Sequence, residues 1–383
     1  MTTLPAASAD ALATSQSLVH AIQAEIRQQG GWMPFSRYME LALYAPGLGY
    51  YAAGSRKLGA AGDFTTAPEM SALFGRALAR QLAELLPQTA NVVYEFGAGT
   101  GKLAIDILSE LQALDALPER YCIVDLSPDL IERQQSNIRQ ALPQLAERVQ
   151  WLSQLPERLD GVIIGNEVLD AMPCELIHWT PEAQRRGVAL DGERFVWEDR
   201  AIQDPRLLQL AQAIQPRHDD YVSEISPANI GFLHTLAQKL DRGAVLLLDY
   251  GFPAAEYYHP QRHMGTLIGH YRHHTVDDPF FLPGLMDLTC HVDFSAVAQA
   301  GIDAGLDLIG YTTQAQFLIN AGITQLLEQL DPADAAGYLP QAAAVQKLLS
   351  PSEMGELFKA IGFGKGVSID WSGFLRGDRC YTL

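Results

Sequence analysis

Apolar residues along this chain recur first at helical spacing, over residues 15–29 and again over 34–44, where Pro46-Gly47 stops the period. A third helical run begins at Thr66-Ala67-Pro68-Glu69, with proline in its first turn, and extends to Leu86. From Asn91 the pattern changes. Residues 92–96 read as a strand, 102–111 as a helix, 121–126 as a strand, 128–141 as a helix and 149–152 as a third strand. Residues 161–165 form a continuous apolar run, as expected of a parallel strand buried on both faces. Strands separated by helices predict an α/β fold with a doubly wound, Rossmann-like parallel sheet.

The alternation breaks between residues 174 and 221. Three β-patterned pieces, 175–180, 188–190 and 194–198, with Asp191-Gly192 as a hairpin signal between the last two, read as an inserted subdomain. A helix over 227–240 and a strand over 243–249 resume the sheet. After an irregular stretch, 252–293, come a helix over 294–304, a strand over 306–311 and a helical tail with small segments. The expected organisation is an N-terminal helical segment and lid over 1–88, a Rossmann-like domain over 89–173 and 222–383, and a β-rich insertion over 174–221. Before Thr66 lies a glycine- and tyrosine-rich stretch of about 20 residues without clear secondary structure, a length that more often has a functional role. Gly62, Asp63, Phe64 and Glu69 are therefore candidates for a lid over a ligand.

Composition narrows the partners. With 27 basic against 45 acidic residues the formal charge is −18, and no basic run offsets it, which argues against nucleic acid or an anionic membrane. An acidic surface suits a basic partner, such as an arginine-bearing protein segment. Cys122, Cys174, Cys290 and Cys380 are scattered without a C-x-x-C pair, as expected of reduced thiols in a cytoplasmic protein. No run approaches the ~18 apolar residues of a membrane span. The leader carries Asp10 and no arginine before Arg27, so it resembles neither a secretory signal nor a mitochondrial presequence. Length leaves room for two domains, and a homodimer is allowed for.

The chemistry centres on Glu95-Phe96-Gly97-Ala98-Gly99-Thr100-Gly101-Lys102. A dinucleotide fingerprint would need glycine where Lys102 stands. A P-loop would need glycine in place of Phe96 and Ser or Thr in place of Leu103. What remains, G-x-G-x-G preceded by Glu95, is how the chain looks in S-adenosylmethionine (SAM) methyltransferases of the Rossmann-like class. Glycines would let an amino-acid tail and a ribose lie close over the backbone. That makes Glu95, Gly97, Ala98, Gly99 and Gly101 candidate binding residues; an ordinary strand-to-helix turn is the plainer alternative. Asp125, 24 residues beyond Gly101, can accept hydrogen bonds from two ribose hydroxyls, a device NAD sites share, or can cap the helix at Ser127-Pro128. Leu126 follows it, Leu152 or Ser153 would lie beside adenine, and Asn166 near the methionine end.

The mouth of the fourth strand carries Asn166, Glu167 and Asp170, polar groups that are expensive to bury unpaired. A second acidic stretch bears Glu224. Glu167 and Glu224 flanking a guanidinium would orient it through bidentate bonds, with Asp170 as a third catalytic candidate. Ser226 before Pro227 reads instead as a helix cap. Around His263, His270, His273, His274, Cys290 and His291 the spacing matches no zinc pattern, so no metal is expected and the segment reads as a pocket wall or structured loop.

Taken together, Gly49-Tyr50-Tyr51, Gly62-Asp63-Phe64-Thr65-Thr66-Ala67-Pro68-Glu69, the glycine loop, Asn166-Glu167-Val168-Leu169-Asp170-Ala171-Met172-Pro173, Glu224-Ile225-Ser226-Pro227, Asp249-Tyr250-Gly251 and His291-Val292-Asp293-Phe294 resemble the MidA-like SAM-dependent methyltransferases. The resemblance runs from about Pro34 past Phe294. It implies the class I methyltransferase fold, SAM as donor and a protein arginine as acceptor, since mitochondrial members of that family methylate an arginine of a respiratory complex I subunit during assembly. A small-molecule acceptor and a non-catalytic SAM-binding assembly or sensing protein are the alternatives. A nicotinamide-dependent oxidoreductase is disfavoured by Lys102.

Overall fold

A computed structural model describes residues 4–52, 66–125, 127–214 and 220–383. The main sheet runs in the order Asp307–Thr313, Phe358–Lys365, Leu240–Phe252, Leu159–Asn166, Val92–Phe96, Arg120–Val124, Val149–Leu152. Neighbours are parallel except for Phe358–Lys365, which is antiparallel to both of its partners. A short strand, Val292–Asp293, adds to the far end of Leu240–Phe252. The apolar runs of the middle strands are explained by their setting: Val162, Ile163, Ile164 and Val245 to Leu248 are buried, because helices cover both faces. The chain enters at Val92–Phe96, steps outward through two strands, then returns to the other side through Leu159–Asn166. This reversal opens a crevice at the carboxyl ends of those two strands, where open α/β sheets hold ligands.

Helices Ala72–Leu85 and Lys102–Ala113 pack together over one face. Gly75 permits their approach, since a Cβ there would stand 2.7 Å from Asp106 Cβ. Helices Pro227–Lys239 and Phe294–Asp303 pair on the opposite face. The single helix expected over 66–86 is divided into Ala67–Met70 and Ala72–Leu85. Ser71 between them is extended, with φ at −156°, and its Oγ accepts the Leu73 N–H at 3.1 Å, so it caps the longer helix.

The N-terminal segment and the insertion, expected as two units, share a sheet and a core. Glu182–Asp191 pairs with Glu175–Thr180, Arg194–Ala201 and, at residues 187–189, with Trp32–Pro34. Met33, Phe35, Tyr38 and Met39 are buried against Cys174, Leu176, Val188 and Leu288. The insertion also contains a helix, Pro205–Ala213, which its β-patterned reading did not include. No helix among the described residues is long and apolar enough to cross a membrane.

The tail departs most from the sequence reading. Within the stretch read as helical lies Phe358–Lys365, a strand of the main sheet next to its edge strand, Asp307–Thr313. Gly362 and Gly364 interrupt its apolar pattern and hide it. A Cβ at Gly362 would stand 2.7 Å from Phe374 and 2.8 Å from Trp371, so glycine there lets the C-terminal aromatic pair lie against the sheet. Gly362→Val should therefore lower stability by about 1–3 kcal/mol through overpacking. Thermal unfolding checks this: a melting temperature equal to wild type would mean that the two rings move aside freely.

Candidate active site

A cleft of about 790 Å³ opens at the crevice. Its floor is the glycine loop, where Gly97, Gly99 and Gly101 take φ values of 65°, 53° and 82°. These are left-handed conformations that side chains bearing Cβ rarely adopt. Gly97, Ala98 and Gly99 face the cleft together with Glu95 and Thr100. Gly101 lies beneath as the N-cap of Lys102–Ala113, with the Gln134 backbone 3.4 Å from where its Cβ would stand.

Asp125, just past Arg120–Val124, also faces the cleft. Its Oδ1 accepts the Ser127 N–H at 2.9 Å, and its Oδ2 accepts from Gln134 Nε2 at 2.7 Å. The same Gln134 nitrogen donates to the Gly99 carbonyl at 3.1 Å, while Gln134 Oε1 accepts from Trp151 Nε1 at 2.9 Å. One glutamine thus ties the acid to the glycine loop, a link no spacing rule would have shown. Glu69 stands on the wall and accepts a hydrogen bond from the Thr100 hydroxyl. Of the two candidates for the adenine side, Ser153 faces the cleft beside Gln154 and Leu155, whereas Leu152 packs against the apolar core and is not on the wall. Gly62, Asp63, Phe64 and Leu126 lie outside the described residues.

Asn166, Glu167 and Asp170 converge on the opposite wall, as their place at a strand mouth predicts. Glu167 has φ of +53°, an uncommon conformation for a residue with a side chain, and strain of this kind gathers at functional sites. Its N–H donates to the Leu248 carbonyl at 2.9 Å, and Asn166 Nδ2 donates to Glu167 Oε1 at 2.9 Å. Burial pushes the Glu167 carboxyl up to about 8, and the charge of Asp170 adds to this, while the Asn166 amide and the Ala67 N–H pull the other way. Burial likewise holds Asp170 up at about 6 against the Tyr250 hydroxyl and nearby backbone N–H groups. Across the cleft, Glu95 is raised to about 8 by burial, although the Tyr121 hydroxyl donates to it at 2.7 Å.

Glu224 is the correction. Expected to face Glu167, it is not on the cleft wall: its carboxylate accepts the Thr266 and Leu267 N–H groups at 2.7 and 2.8 Å and the Tyr257 hydroxyl at 3.0 Å. A Cβ at Gly265 would stand 2.4 Å from Glu224 Oε1, so this carboxylate fills the bend of a turn instead of facing the opening. Among the described residues, those of the 263–291 stretch included, no three His, Cys, Asp or Glu side chains are placed to hold a metal ion.

Several wall residues escaped the sequence reading of the site, among them Glu40, Leu155 and a pair of tyrosines. Tyr44 and Tyr51 stack with ring centroids 5.5 Å apart, and their hydroxyls are occupied, Tyr44 donating to the Ala171 carbonyl at 2.9 Å and Tyr51 to the Asp287 carboxylate at 3.0 Å. Tyr51 lies in the tyrosine-rich stretch, but Tyr44 sits at the end of the Phe35–Tyr44 helix and gives no local signal.

The raised carboxyls have a consequence for stability. In the unfolded chain Glu95, Glu167 and Asp170 ionise near pH ~4; folded, they keep protons up to about 8, 8 and 6. The native state binds more protons in that window, so their contribution is fully present below pH ~4 and is lost as pH rises through the folded values. The melting temperature of the ligand-free protein should fall between pH 6 and 8.5, and Glu167→Gln should flatten the fall. Thermal scans showing a constant or rising melting temperature across that range would contradict these assignments.

Residues 75–312 match the family described as "Putative S-adenosyl-L-methionine-dependent methyltransferase". The chain belongs to this family. The methyltransferase is 49% identical to a Burkholderia thailandensis protein solved bound to S-adenosyl-homocysteine, over 100% of both chains and with a TM-score of 0.96. A native crystal structure from the same organism gives a TM-score of 0.94 at 49% identity. "Protein arginine methyltransferase NDUFAF7, mitochondrial" of Danio rerio is 29% identical, covering 86% of this methyltransferase and 82% of that protein. Its Homo sapiens counterpart is 28% identical, covering 86% and 79%. S-adenosyl-L-methionine is the cofactor of this methyltransferase.

Proposed function

We propose that the enzyme transfers a methyl group from SAM to a nitrogen of a protein arginine. The observation that carries this reading is the acidic lining of the cleft: Glu40, Glu69, Glu95, Asp125, Glu167 and Asp170 line it, those held neutral by burial ionise beside a cation, and among the described residues its one lysine, Lys102, is paired with Asp106. Such a wall favours a cationic acceptor and disfavours an anionic one. The arginine-methylating relatives named above support the same acceptor.

The cleft also fits the cofactor. Asn166 Oδ1 is buried without a hydrogen-bond partner among the described residues, and it would accept from the ammonium of a methionine tail. Asp125 would take the ribose hydroxyls, Ser153 and Leu155 would flank the adenine, and the Cβ-free loop would lie under the tail. When bound, SAM supplies an electrophilic methyl on a good leaving group. The chain's own residues position the acceptor nitrogen and exclude water. Glu167 and Asp170 would hold the guanidinium by charge-assisted bonds, and the nitrogen that gains the methyl would release its proton to one of them. Burial keeps Glu167 neutral at pH 7 while it is alone; a guanidinium alongside favours its ionised form and so readies it to receive that proton.

A cytoplasmic setting belongs to the same proposal, supported by four free cysteines of the kind a reducing compartment maintains. To test the acceptor, extract from cells lacking the gene is incubated with the enzyme and methyl-labelled SAM, and modified residues are identified by mass spectrometry. Label on arginine is expected; label confined to lysine or to small molecules would overturn the assignment.

A further inference from the structure

Asp249 lies near the end of the Leu240–Phe252 strand, 1% exposed and absent from the cleft wall, so it touches neither cofactor nor acceptor space. Its partners are all backbone amides. One oxygen, Oδ2, accepts the N–H groups of Val168, Leu169 and Asp170 at 3.1, 2.8 and 3.3 Å, and Oδ1 accepts the Tyr250 N–H at 2.9 Å. The neighbouring Leu248 pairs with Asn166 in the sheet, and its carbonyl takes the Glu167 N–H. The strand ladder therefore holds the chain up to Glu167, and Asp249 holds the three residues that follow.

We propose that Asp249 is a positioning residue for methyl transfer, whose Oδ2 gathers three consecutive amides and thereby sets where Glu167 and Asp170 stand in the cleft. This rests on the reading of those two as the carboxylates that face the acceptor. Glu167 keeps its left-handed backbone only while its surroundings over-determine it, and the residues on both sides of its peptide are fixed by this one strand. A third acid placed beside Glu167 and Asp170 is electrostatically unfavourable, and burial with those two neighbours holds its carboxyl well above the usual range. Four converging backbone N–H groups account for two side-chain oxygens at such a place, because an amide of this size would keep one oxygen for them and set N–H donors where the other stood.

The full-length protein is tested as Asp249→Ala, Asp249→Asn and Glu167→Gln. Three quantities are measured: S-adenosyl-homocysteine affinity by calorimetry, cooperative thermal unfolding, and the rate of labelled methyl transfer from SAM into extract protein at saturating SAM. Asp249→Ala is expected to bind S-adenosyl-homocysteine within about threefold of wild type and to lose about 100-fold in kcat. Asp249→Asn, which keeps one oxygen for the amides, should fall between the two. Wild-type kcat in Asp249→Ala, a rate loss matched by an equal loss of affinity, or equal kcat in the alanine and asparagine variants would overturn the proposal. If Asp249→Ala does not fold, Asp249→Asn alone decides: a slowed kcat at unchanged affinity supports the role, and wild-type kcat ends it. An impaired Glu167→Gln beside an unimpaired Asp249→Ala ends this inference and leaves the reading of Glu167 standing; an unimpaired Glu167→Gln ends that reading first.

Discussion

Gly97→Val weakens S-adenosyl-homocysteine binding by about 100-fold or more in calorimetry. Position 97 is left-handed, with φ of 65°, a region that β-branched residues essentially avoid. The new Cβ would also stand 3.2 Å from Val168 Cγ2, on the opposite side of the crevice. The loop can accommodate valine only by changing its backbone, and the close approach of ligand to backbone is then lost. The sheet beneath does not depend on that loop, so the protein should still unfold cooperatively. A folded variant with wild-type affinity would refute the placement of the cofactor over Gly97 to Gly99.

Glu167→Gln reduces kcat by roughly 10²–10³-fold while leaving the affinity for S-adenosyl-homocysteine within about threefold. Two effects combine. An ionised carboxylate holds a guanidinium by charge-assisted bonds worth about 1.5–3 kcal/mol each, and an amide replaces them with weaker ones. Glutamine also cannot accept the proton that leaves as the nitrogen is methylated. Asp170→Asn should be milder, because Asp170 already receives the Tyr250 hydroxyl and backbone N–H groups and is less free to turn to the acceptor. Initial rates with labelled SAM check both, and a Glu167→Gln enzyme with wild-type kcat would remove Glu167 from the mechanism.

Where the sequence could be read, local rules and tertiary structure agreed. The strands Val92–Phe96 and Val149–Leu152 and the helix Pro128–Ala141 fall at their predicted bounds, because continuous apolar runs and a Ser-Pro helix start are signals held within a few residues. The glycine loop and Asp125 were legible for the same reason, since one turn fixes the geometry of the first and a strand end that of the second. Elsewhere the decisive partner was far away. Glu224 carried the same signal as Glu167, an acid at the end of a β-patterned run, but its fate was set by turn amides 42 and 43 residues later. Asp249 could be seen in sequence only as an acid at a strand end; its three amide donors lie about 80 residues earlier. Phe358–Lys365 was hidden because its stability comes from two flanking strands and a pair of aromatic rings, with glycines where a pattern would need side chains.

The pairing of Trp32–Pro34 with residues 187–189 also governs the order in which the chain can mature. About 150 residues must be synthesised between the two partners, which takes roughly 8–30 s on a translating ribosome. During that interval Leu18, Ile22, Met33 and Phe35 have no partner strand to cover them, although all are buried in the finished protein. The glycine loop and its first strands emerge earlier and pair with near neighbours. The N-terminal helices are thus synthesised first and secured late, and it is their apolar stripe, held open in the nascent chain, that most needs protection from aggregation.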